Sequence, residues 1–160
     1  MNKTDMLHKY PPLMENVLHI LHEFQNHNPR HYLSEKDLTM IAKYLNVPYS
    51  SIYGVVSYYT LFSLTPRGRH IIRICHSPVC QMAGSNAISV ELRKNLNIDS
   101  AETTAEGLFT LETTECLGQC DTAPGISVDE VYYGNLNAKK VRTILHKYRN
   151  KRNSSRRKKG

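Results

Sequence analysis

Apolar residues recur at spacings of three and four through the first 65 residues of the chain, a pattern typical of amphipathic helices. The predicted helices cover residues 13–24, 34–46 and 50–62. The second has the clearest start, because Ser34 and Asp37 have the spacing and the side chains of a capping box. Thr65-Pro66 breaks the chain after the third helix. Residues 1–66 are therefore predicted to form a three-helix region.

From Arg69 onward the pattern changes to short apolar strands that alternate with helices. Strands are predicted at residues 70–74, 108–111, 126–128 and 131–133, and helices at residues 85–96 and 137–148. This order of elements suits an α/β sandwich of the thioredoxin type. The predicted fold class is therefore α+β, with the helical region followed by a thioredoxin-like α/β domain at residues 67–149 and a basic disordered tail at residues 150–160.

The net charge of +7 comes from one end of the chain. Eight of the 21 Lys and Arg residues lie between Lys147 and Gly160, which leaves 13 basic against 14 acidic residues elsewhere. Because a nucleic-acid-binding domain spreads basic charge over a folded face, no nucleic acid is expected as a partner. The chain also lacks an apolar run of about 18 residues and an apolar leader, so neither membrane insertion nor secretion is expected.

A second charge asymmetry lies between Lys94 and Lys139, where the sequence contains no other Lys or Arg. The acidic residues of this block are Asp99, Glu102, Glu106, Glu112, Glu115, Asp121, Asp129 and Glu130. Such a block can steer a basic partner toward itself. We therefore expect part of it to face a basic surface on another protein.

The four cysteines form two close pairs, Cys75 with Cys80 and Cys116 with Cys120. Both pairs are predicted to lie on loops at the ends of strands. Without a secretory signal, metal binding or thiol chemistry is a better explanation than a disulfide framework. Four thiolates on two loops can close a tetrahedral zinc site or hold a 2Fe-2S cluster, and the spacing leaves both open. A dithiol redox centre is the weakest alternative, because neither pair is a Cys-x-x-Cys motif at a helix start.

Three segments together resemble a known family. They are Cys75-His-Ser-Pro-Val-Cys80 with Gly84, Cys116-Leu-Gly-Gln-Cys120 with Ala123-Pro124, and the upstream run from Ile52 to Phe62. The chain is similar over roughly residues 10–148 to the thioredoxin-like 2Fe-2S subunits of the peripheral arm of respiratory NADH:quinone oxidoreductase, complex I. The basic tail has no place in the family pattern, and its role is not defined by the resemblance.

The resemblance implies one 2Fe-2S cluster, with Cys75, Cys80, Cys116 and Cys120 as its metal ligands. It implies an electron-transfer subunit that packs against the flavin- and NADH-binding subunit and other peripheral-arm subunits. The chain would then belong to an NADH dehydrogenase as a subunit, and alone it would only carry electrons. We expect a cytoplasmic location, peripheral to the inner membrane through the complex. The alternatives are the 2Fe-2S subunit of an NAD-linked hydrogenase or formate dehydrogenase, and a zinc-stabilised binding module.

Residues near the cysteines give expectations about the reduced state of such a cluster. Arg73 and His76 would favour it if they approached the sulfurs, whereas Glu115 and Asp121 would oppose it. Gly118 is expected to let the backbone turn closely around the site. In the helical region, the cluster of Tyr53, Tyr58 and Tyr59 is interpreted as packing at a helix interface.

Overall fold

In a computed structural model of the chain, the structure describes the backbone of residues 2–157 and the side chains of residues 2–150. Contacts divide the chain into two units between Arg67 and Gly68. The boundary predicted from the sequence lies one residue earlier, between residues 66 and 67.

The first unit is helical. Its helices are α1 (Lys3–Leu7), α2 (Val17–His27), α3 (Glu35–Leu45) and α4 (Tyr49–Tyr58), and a single 3₁₀ turn at Met14–Asn16 precedes α2. Helices α2 to α4 are the three that the sequence predicts. Helix α1 was not predicted, because five residues are too few to show a helical repeat of apolar positions.

The core of the first unit lies between α2, α3 and α4. Its fully buried side chains include Ile20, Leu21, Leu38, Ile41 and Ile52. The predicted capping box at the start of α3 is present, since the Ser34 hydroxyl accepts from the Asp37 N–H and the Asp37 carboxylate accepts from the Ser34 N–H. Lys3 of α1 forms an ion pair with the same carboxylate. Burial raises the pKa of Asp37, but hydrogen bonds from Lys3 and Ser34 outweigh it and lower the pKa on balance.

Helix α4 ends at Tyr58, four residues earlier than the predicted end at Phe62. The side chain of the buried Gln25 explains the early end, because it donates to the Leu61 carbonyl at 2.9 Å and accepts from the Ser63 N–H at 2.8 Å. These bonds hold the segment after α4 in a non-helical path. Phe62 nevertheless reaches the core, as predicted, and its ring lies 4.6 Å from that of His22.

Two tyrosines of α4, and the tyrosine that follows it, are partly or largely exposed. Tyr53, Tyr58 and Tyr59 have 46%, 79% and 44% of their surface exposed. Only Ile52 and Val56 of this helix are buried. These tyrosines are therefore not buried within the helical region, since a ten-residue helix on the surface of a small unit buries one narrow stripe.

The second unit is built on one sheet. Its elements are β1 (His70–Cys75), α5 (Pro78–Met82), α6 (Ser85–Leu96), β2 (Phe109–Thr114), β3 (Ile126–Val128), β4 (Val131–Tyr133) and α7 (Ala138–Arg157), with a 3₁₀ turn at Cys120–Thr122. The strand order is β2-β1-β3-β4. Strands β1 and β2 are parallel, and the other two pairings are antiparallel. This mixed sheet with helices confirms the predicted α+β class.

Helices α6 and α7 cover the sheet with apolar side chains. The buried core joins Ile72, Ile74, Leu111 and Ile126 of the strands to Ile88 and Leu92 of α6 and Val141 and Leu145 of α7. Helix α7 continues past the predicted end at Tyr148, and its backbone stays helical to Arg157. Residues 158–160 of the predicted basic tail lie outside the described residues. Among the helices described, none combines the length and the apolar character needed to cross a membrane.

The strand register shows which residues lie at each end of the sheet. Cys75 pairs with Thr114, so the chain leaves β1 and β2 at the same end. The turn between β3 and β4 lies at the other end, where Asp129 has a φ of 54°. Its carboxylate accepts from the Ile71 N–H at 2.9 Å and lies 2.8 Å from Nδ1 of His70. Asp129 therefore ties the hairpin to the start of β1.

We expect Asp129→Ala to lower the free energy of unfolding by about 1–3 kcal/mol, because the buried N–H of Ile71 loses its acceptor. Asp129→Asn should cost less, since it keeps a side-chain oxygen and tolerates positive φ. Urea denaturation of the purified chain measures both values. Glu130→Ala, at the exposed next position, is the matched control. Equal stability of the Ala variant and this control would contradict the structural role of Asp129.

Candidate functional site

The first cysteine pair is buried at the end of β1. Cys75 is the last residue of that strand, and Cys80 lies within the short helix α5. Both side chains are almost completely enclosed, at 2% and 3% exposure. The prediction that both pairs lie on loops is therefore wrong for this pair, because Pro78 at the first helical position starts a helix immediately after the strand.

The second pair is exposed on the connection that follows β2. The sulfurs of Cys116 and Cys120 lie 3.6 Å apart. Between them, Gly118 has a φ of 78° and its N–H lies 3.3 Å from the Cys116 sulfur. The expectation that Gly118 lets the chain turn around the sulfurs agrees with this geometry, since positive φ is a conformation that glycine adopts without steric cost.

Contacts between the loops bring the two pairs together. The backbone N–H of Leu117, which lies between the cysteines of the second pair, acts to lower the pKa of Cys75. The N–H of Gly125, just before β3, acts in the same direction on the pKa of Cys80. The Cys75 N–H donates to the Gly125 carbonyl at 3.3 Å. The four thiols therefore gather at the end of the sheet where β1 and β2 both finish.

The four thiols have different electrostatic surroundings. Burial raises the pKa of Cys75, but hydrogen bonds from Ser77 and from Leu117 outweigh it and lower the pKa. Burial and the neighbouring Cys75 raise the pKa of Cys80. Contact with Cys116 raises the pKa of Cys120, and Cys80 and Cys75 add to that effect. Thiols that raise one another's pKa favour a bound cation, since a metal compensates the charge of several thiolates at once.

The donor set fits two irons better than one ion. Two thiolates on one tetrahedral metal, each at about 2.3 Å from it, lie about 3.8 Å apart. The 3.6 Å between the sulfurs of Cys116 and Cys120 is close to that value. Among the residues described, no group of three His, Cys, Asp or Glu side chains is placed to hold a single ion. Sulfur donors arranged as two pairs suit a 2Fe-2S cluster, which takes four cysteines for two irons.

Arg73 and His76, which the sequence suggests as neighbours of the sulfurs, have other partners in the structure. Arg73 pairs with Glu112 of β2 at 3.2 Å, and His76 lies 3.0 Å from the Gln81 amide. The expected influence of Arg73 and His76 required contact with sulfur, and the structure shows these other partners instead. Sequence analysis missed the sulfur contact of the Ser77 hydroxyl. A hydroxyl residue two positions after a candidate ligand is the signal that could have found it.

The acidic block is divided between the two ends of the sheet. Glu115 and Asp121 are exposed beside the second cysteine pair. Glu106 precedes β2, and Asp129 lies at the β3–β4 turn, so both belong to the opposite end. Glu112 pairs with Arg73. The block therefore does not surround the cysteines as a whole, because residues close in the sequence leave opposite ends of the sheet.

Comparison with known proteins agrees with the fold and the cysteine arrangement. The family model for thioredoxin-like [2Fe-2S] ferredoxins matches residues 3–149. The chain belongs to this family, which binds a 2Fe-2S cluster. The match confirms the fold and the cofactor that the sequence predicts.

Individual relatives point to multi-subunit oxidoreductases. The chain is 38% identical over 120 residues to an NADH-quinone oxidoreductase subunit of Salmonella typhimurium, covering 75% of this chain and 72% of that protein. It is 34% identical over 117 residues to the NADP-reducing hydrogenase subunit HndA of Solidesulfovibrio fructosivorans, covering 73% and 68%. A crystal structure of an NAD⁺-reducing [NiFe]-hydrogenase has the same fold, with a TM-score of 0.74 and 23% identity over 85% of this chain and 23% of that one.

We expect Gly118→Ala to lower the free energy of unfolding of the chain by about 1 kcal/mol, because a Cβ at this φ is sterically unfavourable. No neighbouring atom lies within 4 Å of the added Cβ, so the cost comes from the backbone alone. Gly118→Asn is the matched control, since Asn tolerates this conformation better than Ala. Urea denaturation is the measurement, and an Ala variant more stable than the Asn variant would contradict the argument.

Proposed function

We propose that this chain is an electron-transfer subunit of an NADH:quinone oxidoreductase of the complex I type. In this proposal, Cys75, Cys80, Cys116 and Cys120 are the ligands of its 2Fe-2S cluster. The observation that carries the proposal is the gathering of four thiols, as two pairs, at one end of the sheet in a chain of this family. The similarity to the NADH-quinone oxidoreductase subunit of Salmonella typhimurium supports the choice of complex.

A 2Fe-2S cluster supplies one-electron transfer when it is bound. The residues of this chain would serve it in different ways. The buried pair, Cys75 and Cys80, excludes water from one side of the site. The N–H of Gly118 donates to the Cys116 sulfur, and the N–H groups of Leu117 and Gly125 act to lower the pKa values of Cys75 and Cys80, so all three would offset negative charge on sulfur. The exposed pair, Cys116 and Cys120, leaves the other side open to an electron-transfer partner.

A specific observation favours a second candidate function. The similarity to a hydrogenase subunit, at 34% identity, supports a role as the 2Fe-2S subunit of an NAD-linked hydrogenase. In both functions the chain carries electrons and the enzymatic reaction belongs to the assembled complex. Identification of the subunits that co-purify with the chain distinguishes the two functions. Only the NADH:quinone oxidoreductase contains a quinone-reducing part, and only the hydrogenase contains a hydrogen-activating subunit.

We expect the anaerobically purified chain to contain two irons and two acid-labile sulfides per polypeptide, because four thiolates in two pairs match one 2Fe-2S cluster. Chemical analysis, visible absorption and electron paramagnetic resonance of the reduced protein test this. A colourless chain with one tightly bound zinc would show a zinc-stabilised module instead.

The ligand assignment is tested in the same assay with single Cys→Ala variants at the four positions. Each is expected to lose most of its iron, because each removes one of the four ligands. Val79→Ala, which alters an exposed side chain beside Cys80, is the matched control. Full iron content in a Cys variant would remove that residue from the ligand set.

We further propose that the partner at this site is the flavin- and NADH-binding subunit. The exposed pair, Cys116 and Cys120, has Glu115 and Asp121 beside it in the sequence. On the side of the first pair, Val79 and Met82 of α5 are exposed at 47% and 90%. Exposed apolar side chains and exposed charges both occur at protein interfaces. Through this complex the chain would lie at the cytoplasmic side of the inner membrane.

We expect the double variant Glu115→Lys/Asp121→Lys to reduce several-fold the amount of flavoprotein that co-purifies with the chain at low salt. The effect should shrink at high salt, because exposed charges contribute only about 0–1 kcal/mol each and are screened. The double variant Glu106→Lys/Glu130→Lys, at the opposite end of the sheet, has the same change in charge and serves as control. Equal recovery with both variants would exclude a docking role for the acids beside the cysteines.

A further inference from the structure

Ser77 lies between the two buried cysteines and is itself only 8% exposed. Its Oγ is 3.4 Å from the Cys75 sulfur. The residue occupies the N-cap position of α5, where a serine side chain usually caps the helix. Within the described backbone of α5, this hydroxyl makes no capping hydrogen bond. The hydroxyl therefore contacts the Cys75 sulfur and does not cap the helix.

The direction of the hydrogen bond depends on the state of Cys75. In the free thiol, the S–H donates to the Ser77 oxygen. A cysteine that binds a metal is a thiolate and has no proton to donate. A serine hydroxyl can rotate to donate or to accept as its neighbour requires. With a metal bound, the Ser77 O–H would therefore donate to the Cys75 sulfur along the same contact.

We propose that Ser77 is a positioning residue that raises the reduction potential of the 2Fe-2S cluster by donating its hydroxyl hydrogen bond to the Cys75 sulfur. This inference rests on the proposed function. Reduction adds one electron and makes the thiolates more negative, so a donor at sulfur stabilises the reduced state more than the oxidised one. Burial strengthens the effect, because the hydrogen bond lies in a region of low dielectric.

The test is a redox titration of the anaerobically purified full chain, with dithionite as the reductant and electron paramagnetic resonance as the readout. We expect Ser77→Ala to lower the ratio of reduced to oxidised cluster at a fixed potential by about three- to tenfold, or about 28 to 59 mV at 59 mV per tenfold for a one-electron couple. Ser77→Thr keeps the hydroxyl and should stay near the wild-type value.

Ser85→Ala is the matched control, because Ser85 is also buried and its hydroxyl has no hydrogen-bond partner among the described residues. It should leave the potential unchanged. A Ser77→Ala chain with full iron content and an unchanged potential would overturn the proposal. So would an equal shift in the Ser85 control, which would indicate a general effect of losing a buried hydroxyl.

Two further measurements decide the question if Ser77→Ala does not retain iron. Ser77→Thr and Ser77→Val have nearly the same shape and differ in the hydroxyl, so a lower reduction potential in the Val chain than in the Thr chain supports the proposal and equal potentials contradict it. Electron-nuclear double resonance in D₂O should show a deuteron coupling in the Ser77→Thr chain that the Ser77→Val chain lacks, because the exchangeable backbone N–H groups are the same in both; identical spectra would contradict the proposal. A wild-type chain without iron and sulfide would instead refute the proposed function.

Discussion

The parallel pairing of β1 with β2 is the constraint on which the site depends. Parallel strands finish at the same end of a sheet, so Cys75 and the segment leading to Cys116 arrive together although 41 positions separate them in the sequence. The pairing requires a crossover, which α5 and α6 provide. The antiparallel return of β3 then brings Gly125 beside both loops. The proposed ligand set is thus a product of topology, and neither pair alone would define it.

The sequence was sufficient for the elements with a clear repeat. The capping box at Ser34, the strand before Cys75 and the helix after Gly84 are predicted and present. The local sequence pattern was insufficient to predict an element where a group distant in the sequence determines the local structure. The end of α4 depends on Gln25, which lies 36 residues before the Leu61 carbonyl that it binds. No pattern near Leu61 indicates that contact, so the helix was predicted too long.

The same distinction holds for the site. The residue types and spacing of the cysteines were enough to select four candidate ligands, and the resemblance favoured iron over zinc. The roles of the charged neighbours could not be assigned, because they depend on register. Arg73 faces Glu112 since the two are direct partners across β1 and β2. Asp129 serves the hairpin at the far end, although it is only nine residues from Cys120 in the sequence.

The unequal burial of the two cysteine pairs also bears on how the site is filled. Cys75 and Cys80 are held by a strand and a helix inside the unit. Cys116 and Cys120 lie on an exposed turn that contains a glycine in a left-handed conformation. In the proposed site, iron and sulfide would therefore reach the buried pair past the exposed one. The outer pair would then be the closing half of the site during assembly, and the half that dissolved oxygen meets first.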